Sequence, residues 1–167
     1  MVIASHPTHG KNDHTPRHDE GERMTPGRII AGDGELRAVL AACRTVAVVG
    51  LSPRPDRDSY RVAAYLKAQG YRVVPVRPAQ AEILGEKAYP NLDDVPGPVD
   101  IVDVFRSPEQ ILPHAREALR LKPKVFWMQE GIAHAEAAAL LTAAGIDVVM
   151  DRCIKRDHER LFASQPV

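Results

Sequence analysis

The sequence has little of what would cross-link a chain or tie it to a membrane. It contains only two cysteines, Cys43 and Cys153. Two are too few for a disulfide framework, and nothing marks the chain as secreted, so both are expected to be free thiols. No apolar run approaches the roughly 18 residues of a bilayer span. The opening stretch Met1-Val-Ile-Ala-Ser-His-Pro7 lacks a basic leader and a long apolar core, and is therefore not expected to be a signal peptide. Net charge is absent as well: 22 Lys and Arg balance 22 Asp and Glu. Such a balance offers no global field for nucleic acid or for an anionic membrane. The expectation is a soluble, cytoplasmic chain whose length suits a single domain.

Residues 1–32 also lack apolar periodicity. Four histidines, His6, His9, His14 and His18, lie there among Pro, Gly, Thr and charged residues. This composition cannot bury enough apolar surface to offset the entropy of ordering, so the segment reads as a flexible tail. The histidine spacing matches no closed metal site, and no metal centre is expected.

From Asp33 a regular pattern begins and continues through residues 33–167. Leu36, Val39, Leu40 and Cys43 recur at helical spacing behind Asp33, a candidate N-cap. Short apolar runs then alternate with amphipathic segments. The runs Thr45–Gly50, Tyr71–Val76, Val99–Phe105, Val125–Met128 and Ile146–Met150 suit strands buried on both faces. Between them, Ser59–Gln69, Ser107–Leu121 and Ala133–Ala144 read as helices, and a short helix through His158 and Leu161 closes the chain. Ser107-Pro-Glu-Gln110 combines a cap, an N1 proline and a glutamine at N3. Residues 77–98 are irregular. Alternation of this kind implies an α/β fold: a Rossmann-like, doubly wound parallel sheet of about five strands. The expected order is 3-2-1-4-5, with a topological switch between the first and fourth strands, where ligands of such sheets sit.

The loops after the strands are therefore the candidate binding residues. Gly50-Leu51-Ser52 ends the first strand, and a residue without Cβ lets backbone approach a ligand closely. Ser59 can cap the next helix, whose N-terminal N–H groups favour a phosphate. Arg54, Arg57 and Arg61 crowd that helix start, where cations oppose the helix dipole unless an anion is present. The fingerprint G-x-G-x-x-G is missing, with Pro53 and Pro55 where glycines would stand. At the end of the second strand, where an NAD site would place Asp or Glu, Val76-Arg77-Pro78 offers a guanidinium. Arg77 suits a phosphorylated ribose, as in NADP or coenzyme A.

The ordered set Val46–Pro53, Asp58–Val62, Gly70–Pro78, Glu82–Gly85, Val99–Arg106 and Met150–Lys155 with His158 resembles the small bacterial CoA-binding domain family. That family is related to the CoA-binding part of the succinyl-CoA synthetase alpha subunit. The resemblance covers about residues 45–162. It implies that Gly50, Leu51 and Ser52 wrap a pyrophosphate, with Ser59 and Arg61 nearby. It further implies that Val76, Arg77 and Pro78 border the adenosine, and that Val104, Phe105 and Arg106 line the next strand end. Members of the family usually carry Asn where Arg77 stands.

For catalysis the candidates are Cys153, His158, Glu130 and His134. Arg152 and Lys155 near Cys153 would favour a thiolate. No nucleophile, base and orienting group can be assembled from them. The sequence thus points to a binding protein for CoA or acyl-CoA, a cofactor-binding or sensing module without catalysis. An NADP-dependent oxidoreductase and a nucleotide-responsive regulatory domain are the alternatives, and a homodimer or an unidentified protein partner is left open.

Overall fold

The computed structural model of the protein describes residues 25–163. The histidine-containing part of the expected tail lies outside the described residues. In chain order the main elements are α1 (Asp33–Ala42), β1 (Thr45–Val49), α2 (Asp58–Ala68), β2 (Arg72–Val76), β3 (Glu82–Ile83), β4 (Glu86–Lys87), β5 (Ile101–Val104), α3 (Ile111–Leu121), β6 (Val125–Met128), α4 (Ala135–Ala143), β7 (Asp147–Val149) and α5 (Ile154–Phe162). Five parallel strands form one sheet in the order β2-β1-β5-β6-β7.

The doubly wound architecture is as expected from the alternation of runs. Side chains alternate along each strand, so every central strand supplies both cores. Val46, Val48, Ile101 and Trp127 face Leu36 and Leu40 of α1, Val62 and Leu66 of α2, and Ile154 of α5. Ala47, Val49, Val102, Val104 and Met128 face Ile111, Ala115 and Ala118 of α3 and Leu141 of α4.

The strand order is a correction. The five long strands run 2-1-3-4-5, not 3-2-1-4-5: the run that includes Val102 and Val104 pairs directly with β1. Pro75 gives the physical reason. Val76 turns its carbonyl toward Gly50, so Pro75, one residue earlier, presents its polar groups outward, where its carbonyl accepts from Tyr89 N–H. A proline has no N–H to donate to a further strand on that side, and such residues belong on sheet edges. Tyr89 covers this edge, with Arg77 N–H donating to its carbonyl in return. The switch point accordingly falls between β1 and β5, not between the first and fourth strands.

Residues 77–98, expected to be irregular, contain the β3–β4 hairpin. Its two-residue tip has Leu84 at φ 56° and Gly85 at φ 73°, the left-handed pair that hairpin turns favour. Lys67 of α2 holds this tip by donating to the Leu84 carbonyl and pairing with Glu86.

Several helix starts also differ from expectation. Gly32 is the N-cap of α1, and Asp33 instead receives Arg160 Nη1 at 2.6 Å. Ser107-Pro-Glu-Gln110 forms a 3-10 turn before α3 without a side-chain cap on the backbone. Residues 27–30, ahead of α1, run beside β7: Arg28 N–H donates to Asp147, Ile30 N–H donates to Val148, and Ile30 is buried.

Candidate functional site

Where β1 and β5 diverge, a cleft of about 500 Å³ opens at the carboxyl ends of the strands. One wall is the first turn of α2, with Asp58, Arg61 and Val62. The loop after β5 supplies Phe105, Arg106 and Ser107, and the loop after β6 supplies Gln129, Glu130 and Ile132. Cys153, Lys155 and Arg156 from the start of α5 close the far side. The charge is uneven: Arg61, Arg106, Lys155 and Arg156 face two carboxylates, and Glu130 already pairs with Arg156 at 2.7 Å. An anion is the ligand such a lining favours.

The loop after β1 is built by its own hydrogen bonds. Gly50 adopts φ +79°, and a Cβ there would stand 2.4 Å from the carbonyl oxygen of Phe105 and 3.2 Å from Arg106 Nε. Glycine is thus required by the neighbouring strand end as well as by the turn. Ser59 does not cap α2; Arg57 occupies the cap position. Its Oγ accepts from the buried N–H of Ser52 at 3.0 Å, while Ser52 Oγ accepts from Arg54 N–H at 3.2 Å. Both hydroxyls therefore shape the loop.

The structure divides the sequence-derived residues. Arg61, Phe105 and Arg106 line the cleft. Gly50 packs against Arg106 at its edge. Leu51 and Val76 are enclosed in the two cores, and Val104 faces the opposite side of the sheet from Phe105. Arg57 and Pro78 are exposed. Arg77 is half-buried, and its Nη1 reaches the Leu51 carbonyl at 3.4 Å, bridging the loops after β1 and β2.

Arg106 is the most informative of these. Its Nε is buried and has no hydrogen-bond partner among the described residues. A buried guanidinium N–H left unpaired is costly, and a ligand anion would relieve it.

Nothing in the sequence singles out Gln129, Ile132 or Arg156 individually, although the loop 129–131 is recognisable as a strand end; Ser107, read there as a helix cap, lines the cleft as well. The four candidate catalytic residues separate in space. His134 caps α4, its Nδ1 accepting from Ala137 N–H at 3.1 Å. His158 lies 2.7 Å from the Tyr65 hydroxyl and stacks on Phe162, away from the cleft, and burial pulls its pKa down. Only Cys153 and Glu130 reach the cleft. Among the described residues no group of three or more His, Cys, Asp or Glu could hold a metal ion, and no helix is long and apolar enough to cross a membrane.

Against this geometry, the model of a family described as the CoA binding domain matches residues 44–159. The chain belongs to the CoA binding domain family. The resemblance read from the strand-end motifs is borne out. An uncharacterized protein of Bacillus subtilis, YneT, is 44% identical over 124 residues, covering 74% of this chain and 92% of the relative. A solved structure from Thermus thermophilus, described as cell-free ID.343, is 47% identical with a TM-score of 0.76, covering 79% of this chain and 100% of that one. A stretch of 59 residues, 35% of this chain, is 41% identical to 13% of the alpha subunit of an ADP-forming acetate–CoA ligase II of Pyrococcus furiosus.

Proposed function

We propose that this CoA binding domain protein binds coenzyme A or an acyl-CoA at the β1–β5 switch, as a cofactor-binding or sensing module without catalysis. The observation that carries the reading is Arg106: a guanidinium with a buried N–H that has no partner among the described residues, at the edge of a cationic cleft and against the glycine of the loop after β1. CoA is a polyanion with a pyrophosphate and a 3′-phosphate, and charge-assisted bonds from guanidinium groups are the strong way to hold phosphates. Arg77 fits the adenosine end. It makes no salt bridge among the described residues and keeps N–H groups free beyond its bond to Leu51. Among the described residues no base hydrogen-bonds Cys153, and His134 and His158 both lie away from the cleft, which favours binding over catalysis.

Calorimetric titration with CoA, 3′-dephospho-CoA, NADP and NAD tests the reading. CoA should bind best, with affinity falling when the 3′-phosphate is removed and again in Arg77→Ala. Tight NADP binding with no response to CoA would overturn it.

A further inference from the structure

Beneath the cleft lies a carboxyl group with no place in phosphate binding. Asp103 of β5 is fully buried, and in the sheet it stands level with Val48 of β1 and Trp127 of β6. Its Oδ1 accepts one hydrogen bond, from the side-chain amide of Gln129 at 2.5 Å, and its Oδ2 has no partner among the described residues. Gln129 is itself 4% exposed and lines the cleft. Its amide nitrogen is committed to Asp103, and its Oε1 accepts from no described residue. The carboxamide therefore turns a carbonyl oxygen toward the cleft.

We propose that Asp103 is a positioning residue that sets the hydrogen-bonding character of the cleft floor through Gln129. With Asp103 ionised, the floor is an acceptor and favours ligand N–H or O–H groups. With Asp103 protonated, its O–H donates to Gln129 Oε1, the amide turns over, and the floor presents N–H donors that favour acyl carbonyls or anions. One proton moves onto one carboxylate oxygen, and two hydrogen-bond directions reverse together.

The surroundings isolate this pair. On the same face, α2 carries Asp58, Arg61 and Lys67, α5 carries Lys155, Arg156, Asp157, His158, Glu159 and Arg160 with Arg152 just ahead of it, and α1 carries Asp33, Glu35 and Arg37. None of these is a hydrogen-bond partner of Asp103. Burial pushes its carboxyl up to about 7, opposed only by the Gln129 bond, so both forms are populated near neutral pH.

This inference deepens the CoA reading, and the experiment separates the two. In the ligand-free full chain, the side-chain amide resonances of Gln129, assigned with Gln129→Ala, should shift on titration from pH 5 to 9 and stay constant in Asp103→Asn. A flat response in the unsubstituted protein, or an undiminished one in Asp103→Asn, overturns the proposal whether or not CoA binds. Calorimetry with CoA follows, as the affinity ratio of unsubstituted protein to Asp103→Asn, in which titration of the CoA phosphates cancels. That ratio should change roughly three- to tenfold across the range, as expected for one hydrogen bond. CoA binding with a constant ratio overturns the proposal and leaves the CoA reading intact. Absence of CoA binding at every pH, with the resonance shift present, overturns the CoA reading while supporting the switch.

Discussion

Ser59 Oγ accepts a hydrogen bond from the backbone N–H of Ser52, and both groups are buried where β1 hands over to α2. Ser59→Ala would leave that N–H without a partner, at a cost of about 1–3 kcal/mol. Urea denaturation should show this loss, and calorimetry should show weaker CoA binding, because the loop after β1 loses its anchor to the helix.

Gly50→Ala should be more damaging. A left-handed backbone costs a side-chain-bearing residue roughly 1–2 kcal/mol, and here the added methyl meets the Phe105 carbonyl oxygen at 2.4 Å. Overlap with a backbone atom that cannot swing aside adds a cost of order 1–3 kcal/mol. The expected result is a clear fall in melting temperature, since β1 and β5 must be pushed apart.

Arg106→Ala separates binding from stability. It removes a buried N–H that has no partner among the described residues, so the fold should lose little. A charge-assisted bond to a ligand is worth roughly 1.5–3 kcal/mol, so CoA affinity should fall about tenfold or more. Titrations at two ionic strengths check the electrostatic origin: the salt dependence of binding should become shallower in the variant.

Asp103 makes stability depend on pH in a direction unusual for a carboxylate. Its folded pKa, raised by burial to about 7, lies above the ordinary value of 3.8. Between those values the native state holds more protons than the unfolded chain, so stability falls as pH rises from about 4 to about 7 and stays reduced above. Asp103→Asn should remove that slope, leaving acid stability nearly unchanged and raising stability above neutrality by up to a few kcal/mol. Denaturation curves at pH 5 and pH 8.5 provide the comparison.

The two thiols should differ sharply in reactivity. Cys43 is buried and its pKa is pushed up to about 11, chiefly by burial and then by Asp100. Cys153 is half-buried and lines the cleft. An aromatic disulfide reagent should label one cysteine quickly in the native protein, Cys153→Ser should abolish that label, and CoA should slow it.

The architecture was legible because its signals are local. Apolar runs such as Thr45–Val49 and Val125–Met128 announce buried strands, and helical spacing in Leu36, Val39 and Leu40 needs no distant information. Arg61, Phe105 and Arg106 could be named because strand-end loops gather at one edge of a parallel sheet. Gln129 escaped notice as an individual residue, since nothing nearby in sequence indicates that its amide meets a carboxylate 26 positions earlier.

By itself, then, the amino-acid order determined the alternation of strands and helices, the crowd of arginines at the head of α2, and the family motifs. Folding in three dimensions decided which strands lie side by side. Pro75 carried a clue to the edge, but it took the folded sheet, with Tyr89 on that edge and β5 paired to β1, to settle the order. It likewise decided that the hydroxyls of Ser59 and Ser52 both hold the loop after β1, and that Asp103 and Gln129 form one unit under the cleft. Hydrophobic periodicity acts over a few residues, whereas strand adjacency and buried polar pairing join groups far apart in sequence, and such contacts exist only once the sheet has closed around them.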